Sequence, residues 1–203
     1  MKKILIVVDY QNDFVDPNGA LPVPNADKLS NKIQNRINSD DYESIIYTLD
    51  THTPEDYNGS EEQQLFPDIH CEFGTNGWNF FNIIPRYEHW NEFIESRTAV
   101  FSTFASNNEY FVTKDMFNVW IGNETYAKWF EKTFPSDKFE VDVVGVATNY
   151  CVYLNVMGML ERGYKVNILE DCVEGIKNFP DGSVDASFNQ NITIMKNRGV
   201  KFI

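Results

Sequence analysis

Short apolar runs rich in β-branched residues alternate along the chain with stretches whose apolar positions recur at helical spacing. Ile4 to Val8 and Ser44 to Leu49 are two such runs, each of the length of a buried strand. Between them Leu29, Ile33 and Ile37 return every four residues and mark one face of an amphipathic helix. The same unit recurs later. Val141 to Val146 predicts a strand, and Tyr150 to Arg162 a helix ended by Gly163. Val166 to Leu169 predicts a strand, Val184 to Arg198 a helix stopped by Gly199, and Val200 to Ile203 a last strand. Runs that are apolar throughout, rather than alternating, predict parallel strands covered on both faces, and so a three-layer α/β fold. Thr51 to Thr113 lacks this rhythm. It carries Pro54, Pro67 and Pro85 among many Asn and aromatic residues, and it predicts an irregular insertion with a helix or two. No internal repeat, low-complexity tract or linker divides the chain, so a single domain is expected over residues 1–203.

Composition narrows the partners. Hydrophobic residues at 42% and charged residues at 23% are ordinary for a globular domain. A formal net charge of −13 repels phosphate backbones and anionic lipid heads, so neither nucleic acid nor membrane is expected as a partner. The run Ile4 to Val8 is too short for a bilayer span or a signal core, and Lys2 and Lys3 lead straight into it. Three cysteines without paired spacing give no disulfide framework. The expected compartment is the reducing cytoplasm, where a free thiol is available for chemistry.

In an open parallel sheet, ligands bind beyond the carboxyl ends of the strands, and three polar positions fall there. Asp9 ends the first strand, Asp50 ends the second, and Cys151 follows the strand Val141 to Val146 through Ala147-Thr148-Asn149-Tyr150. Cys151 then lies in the first turn of a helix, where unpaired N–H groups and the helix dipole favour a thiolate and can receive an oxyanion. A buried cysteine with no chemical role is the commoner case, and it is the reading for Cys71 and Cys172. Asp9, Asn12 and Asp13 stand in Asp9-Tyr10-Gln11-Asn12-Asp13-Phe14. A carboxylate there suits a general base, although Asp and Asn also simply make turns. Asp50 and His52, two residues apart, point to the same side of an extended segment, and His70 follows with Glu61 and Glu62 between. A carboxylate with two imidazoles suits zinc, iron or manganese, but spacing this loose also fits plain surface polarity.

Taken together, these segments resemble the isochorismatase-like cysteine hydrolases, and their nicotinamidase branch in particular. Asp9 to Phe14 is similar to that family's Asp-x-Gln-Asn-Asp-Phe start, and Gly145 to Val152 to its Gly-x-Ala-Thr-Asx-Tyr-Cys-Val nucleophile turn. Asp50-x-His52, Phe66-Pro67, His70-Cys71 and Gly74-Thr75 resemble the branch's metal-binding layout, with Phe66 in place of the usual Trp and one extra residue before His70. Lys114 is the best match to the family's catalytic lysine, although Asn118-Val119-Trp120 replaces the small-residue stretch that follows it there.

The resemblance implies a doubly wound, six-stranded parallel sheet with the metal-binding insertion at about residues 51–113. It implies a catalytic set of Asp9, Lys114 and Cys151, and an oxyanion site from the N–H groups of Ala147 and Cys151 beside a cis peptide at Val146-Ala147. One divalent ion, zinc first with iron or manganese as alternatives, is expected on Asp50, His52 and His70, with Glu62 as a fourth ligand and Glu61 near enough to compete for that place. Phe14, Leu21, Phe66, Phe117 and Tyr150 are candidate pocket walls. The implied activity is hydrolysis of nicotinamide through a cysteine thioester, within pyridine nucleotide salvage. The substrate is then a small carboxamide, and the chain is free to form a homo-oligomer. Another amide, carbamoyl or vinyl-ether hydrolase on the same fold, or a silent ligand-binding homologue, are the rival readings.

Overall fold

The computed structural model describes residues 1–87, 89–90, 100–102, 108–179 and 181–203. The elements run β1 (Lys2–Val8), α1 (Asn12–Val15), a 3-10 turn (Ala26–Leu29), α2 (Ser30–Ile37), β2 (Ser44–Asp50), α3 (Pro54–Tyr57) and α4 (Glu61–Leu65). They continue with β3 (Val100–Ser102), β4 (Glu109–Lys114), α5 (Val119–Gly122), α6 (Tyr126–Thr133), β5 (Phe139–Gly145), α7 (Cys151–Glu161), β6 (Lys165–Val173), α8 (Ser187–Asn197) and β7 (Lys201–Phe202).

One sheet in the order β3-β4-β2-β1-β5-β6-β7 organises the described residues. Six strands are parallel, as expected, and the short β3 adds an antiparallel edge to β4. Both faces are covered. Along β1, Leu5 and Val7 pack with Ile33 and Ile37 of α2, while Ile4, Ile6 and Val8 pack with Val152, Val156 and Met159 of α7. Successive side chains of a strand point to opposite faces, so a strand buried on both must be apolar at every position. That is why β1 reads as an unbroken apolar run.

Two expectations need correction. The segment Thr51 to Thr113 is not irregular throughout. Its described part contains the two helices expected there, α3 and α4, but also β3, and it ends in β4, an inner strand paired with β2 from Ile45↔Glu109 to Asp50↔Lys114. The helix expected from Val184 begins instead at Ser187. Val184 bridges back to Asn178, and the Asp185 N–H donates to the Lys177 carbonyl, so these residues are held in a turn before the helix can start.

Candidate active site

The parallel register sets three polar residues side by side. Val8 is paired with both Thr48 and Gly145, so β1 and β5 end level while β2 runs on to Asp50, and Asp9 leaves the sheet at this edge. Asp9 has φ 45°, a left-handed conformation that Asp tolerates better than most residues. Thr48 Oγ1 donates to Asp9 Oδ1 at 2.6 Å and fixes the carboxylate. Gly145 must be glycine here: at φ 109° any Cβ would lie 2.1 Å from the Val8 carbonyl oxygen.

One register pair further along the neighbouring strands, Lys114 lies across from Asp50. Its ammonium nitrogen is 2.8 Å from Asp50 Oδ1, 2.9 Å from Asp9 Oδ2 and 3.7 Å from Cys151 Sγ. All four side chains are buried. Burial opposes a charge on Lys114, but Asp50 and Asp9 outweigh it and hold the ammonium well above its usual range, so it stays protonated. Burial raises the Asp9 pKa; Lys114 pulls it down, Asp50 pushes it up, and the outcome is a carboxylate more basic than usual. Burial likewise pushes the Cys151 thiol well above its ordinary range, opposed by Lys114 and reinforced by Asp9 and Asp50. The thiolate expected from the helix start is therefore not the resting form. Burial and two neighbouring carboxylates keep the proton on sulfur until a base removes it.

The nucleophile turn runs from Val146 to Tyr150, and the Val146-Ala147 peptide bond is cis. The Ala147 carbonyl accepts from Tyr150 and Val152, whereas the N–H groups of Ala147 and Cys151 donate to no group among the described residues. Phe14, Leu21, Phe66, Phe117 and Tyr150, the five walls named from sequence, line one small cavity against Cys151 and Ala147. Val23 and Ile176 complete it and were not anticipated. The cavity encloses about 20 Å³, room for a single water.

The second cluster adjoins the first through Asp50. Its Oδ2, turned away from Lys114, lies 3.3 Å from His52 Nε2 and 3.5 Å from His70 Nε2. Glu62 Oε1 lies 3.1 Å from His70 Nε2 and 3.8 Å from His52 Nε2. Ligand atoms bonded to one tetrahedral ion at about 2.1 Å stand roughly 3.4 Å apart, so these spacings fit a common divalent ion. Burial works against protonated His70, yet the Asp50 and Glu62 carboxylates beside it raise its pKa to about 9. The pocket thus favours positive charge. Asp50 Oδ2, His52 Nε2 and Glu62 Oε2 are buried without a hydrogen-bond partner, and a shared cation would satisfy donor atoms of this kind. The choice left open by the sequence falls to Glu62, since Glu61 is exposed. Cys71 offers no donor to the group.

Loop clamps hold this cluster. Asp50 N donates to Gln11 Oε1 at 2.7 Å, and Gln11 Nε2 donates to the Asp50 and Trp78 carbonyls at 2.8 and 2.9 Å. Asp13 accepts the Cys71 N–H at 2.7 Å and packs so closely on Gly77 that a Cβ there would lie 2.1 Å from it. The Tyr57 hydroxyl contacts His70 Nδ1 at 3.3 Å and orients the ring from behind. Gln11 and Asp13 lie in the Asp9 to Phe14 segment, so the signal for them was the motif itself. Nothing in the sequence singled out Thr48 or Tyr57.

Known proteins resemble this chain over most of its length. The chain is 26% identical over 205 residues to the nicotinamidase of Saccharomyces cerevisiae, covering 88% of this chain and 91% of the yeast protein. It is 28% identical over 178 residues to the nicotinamidase/pyrazinamidase of Mycobacterium tuberculosis, covering 86% and 87%. The solved structure of the pyrazinamidase of Pyrococcus horikoshii in complex with zinc superposes with a TM-score of 0.71 at 29% identity, over 100% of this chain and 99% of that one. The isochorismatase domain model matches residues 85–192, just over half of the sequence and the part that contains Lys114, the nucleophile turn and Cys151. With a six-stranded parallel sheet carrying these residues at its carboxyl edge, the chain belongs to the isochorismatase-domain family.

Proposed function

We propose that the protein hydrolyses nicotinamide to nicotinate and ammonia through a thioester on Cys151. The observation that carries this reading is the position of Lys114 Nζ, within 2.9 Å of Asp9 and Asp50 and 3.7 Å from Cys151 Sγ. A buried ammonium there stabilises the thiolate as Asp9 takes the thiol proton, and it keeps both groups in register. The sulfur attacks the carboxamide carbon, and the free N–H groups of Ala147 and Cys151 receive the oxyanion. Asp9 returns its proton to the departing ammonia, and water then cleaves the thioester to release nicotinate. A silent binding protein has no need of a buried thiol beside a base and a lysine.

Asp50, His52, Glu62 and His70 would hold the divalent ion, which when bound would supply a Lewis-acid contact for the ring nitrogen and so help orient the ring. The cavity of about 20 Å³ is apolar-walled but too small for a pyridine ring, so Phe66, Phe117 or Tyr150 must yield as substrate enters. Three free, buried cysteines and a working thiol suit a reducing compartment such as the cytoplasm. No helix among the described residues is long and apolar enough to cross a membrane.

The specificity constants of nicotinamide, pyrazinamide, benzamide and isochorismate on one metal-loaded preparation test the reading. Nicotinamide and pyrazinamide both place a nitrogen meta to the carboxamide and are expected to react. Benzamide lacks that nitrogen and should be slower by as much as ~10⁴-fold. Isochorismate, larger and dianionic, should not react. Equal rates for benzamide contradict the ring orientation, and activity on isochorismate alone contradicts the proposed substrate.

A further inference from the structure

The nucleophile turn is braced from behind by a carboxylate that the mechanism above does not use. Asp185, buried in the turn before α8, comes 35 residues after Tyr150 in the chain. Its Oδ2 accepts from the Tyr150 hydroxyl at 2.7 Å and from Asn149 Nδ2 at 3.0 Å, and its Oδ1 accepts from the Ser187 N–H at 2.9 Å. Among the described residues no cation lies within ion-pair distance of it. A buried carboxylate without a counter-charge is costly to retain, and here both contacts of its Oδ2 fall on the two residues that precede Cys151, while its Oδ1 caps the start of α8.

Those two residues are held unequally. Asn149 has other anchors: the two hydrogens of its Nδ2 are shared among Asp185, the Ile176 carbonyl at 3.0 Å and Ser187 Oγ at 2.9 Å, and its side-chain Oδ1 accepts from the Ile176 N–H at 3.0 Å. Without Asp185 the turn keeps these ties. The Tyr150 hydroxyl has fewer ties, its bond to Asp185 at 2.7 Å and the Ser187 side chain beside it. The Tyr150 ring packs edge-on to Phe66 at 5.6 Å and tilted against Phe117 at 5.5 Å, and all three line the cavity against Cys151. We propose that Asp185 is a positioning residue that fixes the Tyr150 ring as one wall of the substrate slot, and so governs how a planar ring reaches the nucleophile. The proposal rests on the amide-hydrolase reading only for the identity of that ring.

The test compares two alkylating agents that attack the same thiol: iodoacetamide, which has no ring, and bromoacetylpyridine, which does. Cys151 modification is followed by mass spectrometry in the wild type, Asp185→Ala, Tyr150→Phe and the double variant. The ratio of ring-bearing to ringless rate is expected to fall about tenfold in Asp185→Ala, the size of one lost hydrogen bond, with the iodoacetamide rate kept within about threefold. Tyr150→Phe removes the same bond from its other end and should reproduce the fall, even if Asp185→Ala folds poorly. Adding Asp185→Ala to Tyr150→Phe should then change the ratio by less than about twofold. Equal losses with both reagents would make Asp185 a mere support of the turn, and a Tyr150→Phe ratio like that of the wild type would overturn the proposal. Because the readout is thiol modification, a wild type that releases no ammonia from nicotinamide would refute the proposed substrate and leave this measurement intact.

Discussion

The catalytic trio and the four-ligand cluster are neighbours, yet the chain builds them by different means. Asp9 and Lys114 sit at or one residue beyond the ends of parallel strands, where register places them, and Cys151 is brought back to that edge by the turn from Val146 to Tyr150 at the start of α7. His52 is held by a backbone bridge to Glu72 beyond β2, whereas Glu62 comes from the short α4 and His70 from an irregular stretch, and side-chain clamps from Gln11, Asp13 and Tyr57 steady the loops around them. Asp50 belongs to both, with Oδ1 on Lys114 and Oδ2 facing the histidines. The sheet edge is the rigid half of the site, and the loop half is rigid only as far as its polar contacts are met.

The sharpest break of the trio is Cys151→Ala. No other group nearby can carry the acyl intermediate, so nicotinamide turnover should fall by at least about 10³-fold. The α7 start tolerates Ala, so the circular dichroism spectrum should be unchanged. Retention of more than a few per cent of activity would exclude the covalent route.

Separating the two halves comes next in size. His52→Ala should lose the bound metal, measured by elemental analysis, while the iodoacetamide rate at Cys151 stays within about threefold of wild type, because His52 does not touch the trio. Asp50→Ala should lose the metal and also change that rate, since Lys114 loses its nearest carboxylate. Identical behaviour of the two variants would mean that Asp50 does not link the halves.

The smallest effect concerns pH. In chelated protein the His70 pKa is about 9 in the fold, above the ordinary value of about 6.5. A raised folded pKa gives stability that is fully present below about pH 6.5 and lost as pH rises through about 9. The melting temperature in chelator should therefore fall by about 5 °C between pH 6.5 and 9, while metal-loaded protein, in which His70 is a neutral ligand, should not show this fall. Parallel curves would mean that the carboxylates do not act on His70 as described.

The two halves also differed in how far the sequence revealed them. Strand β1 and the core of β2 and β5 were legible because strands buried on both faces must be apolar throughout. Strand β4 escaped because three of its six residues, Glu109, Thr113 and Lys114, are polar yet buried. Glu109 accepts the Tyr47 hydroxyl at 2.6 Å and Lys114 is neutralised by Asp9 and Asp50, partners that no hydropathy pattern reveals. Glu62 was ambiguous for a related reason. Adjacent residues of a helix face different ways, and α4, capped where Gln63 N–H donates to Ser60 Oγ at 3.1 Å, turns Glu62 inward and Glu61 out. Asp185 was missed because the partners of its Oδ2 lie some 35 residues away and the pattern from Val184 placed it inside a helix rather than in the turn before one.

The most direct measurement is intact-protein and peptide mass spectrometry of the chain quenched in acid during turnover of nicotinamide. The account predicts a nicotinoyl adduct on the Cys151 peptide that appears with ammonia, decays to nicotinate, and is absent from Cys151→Ala. Nicotinate and ammonia formed at full rate by Cys151→Ala, or an adduct carried on Cys71 or Cys172 instead, would contradict it.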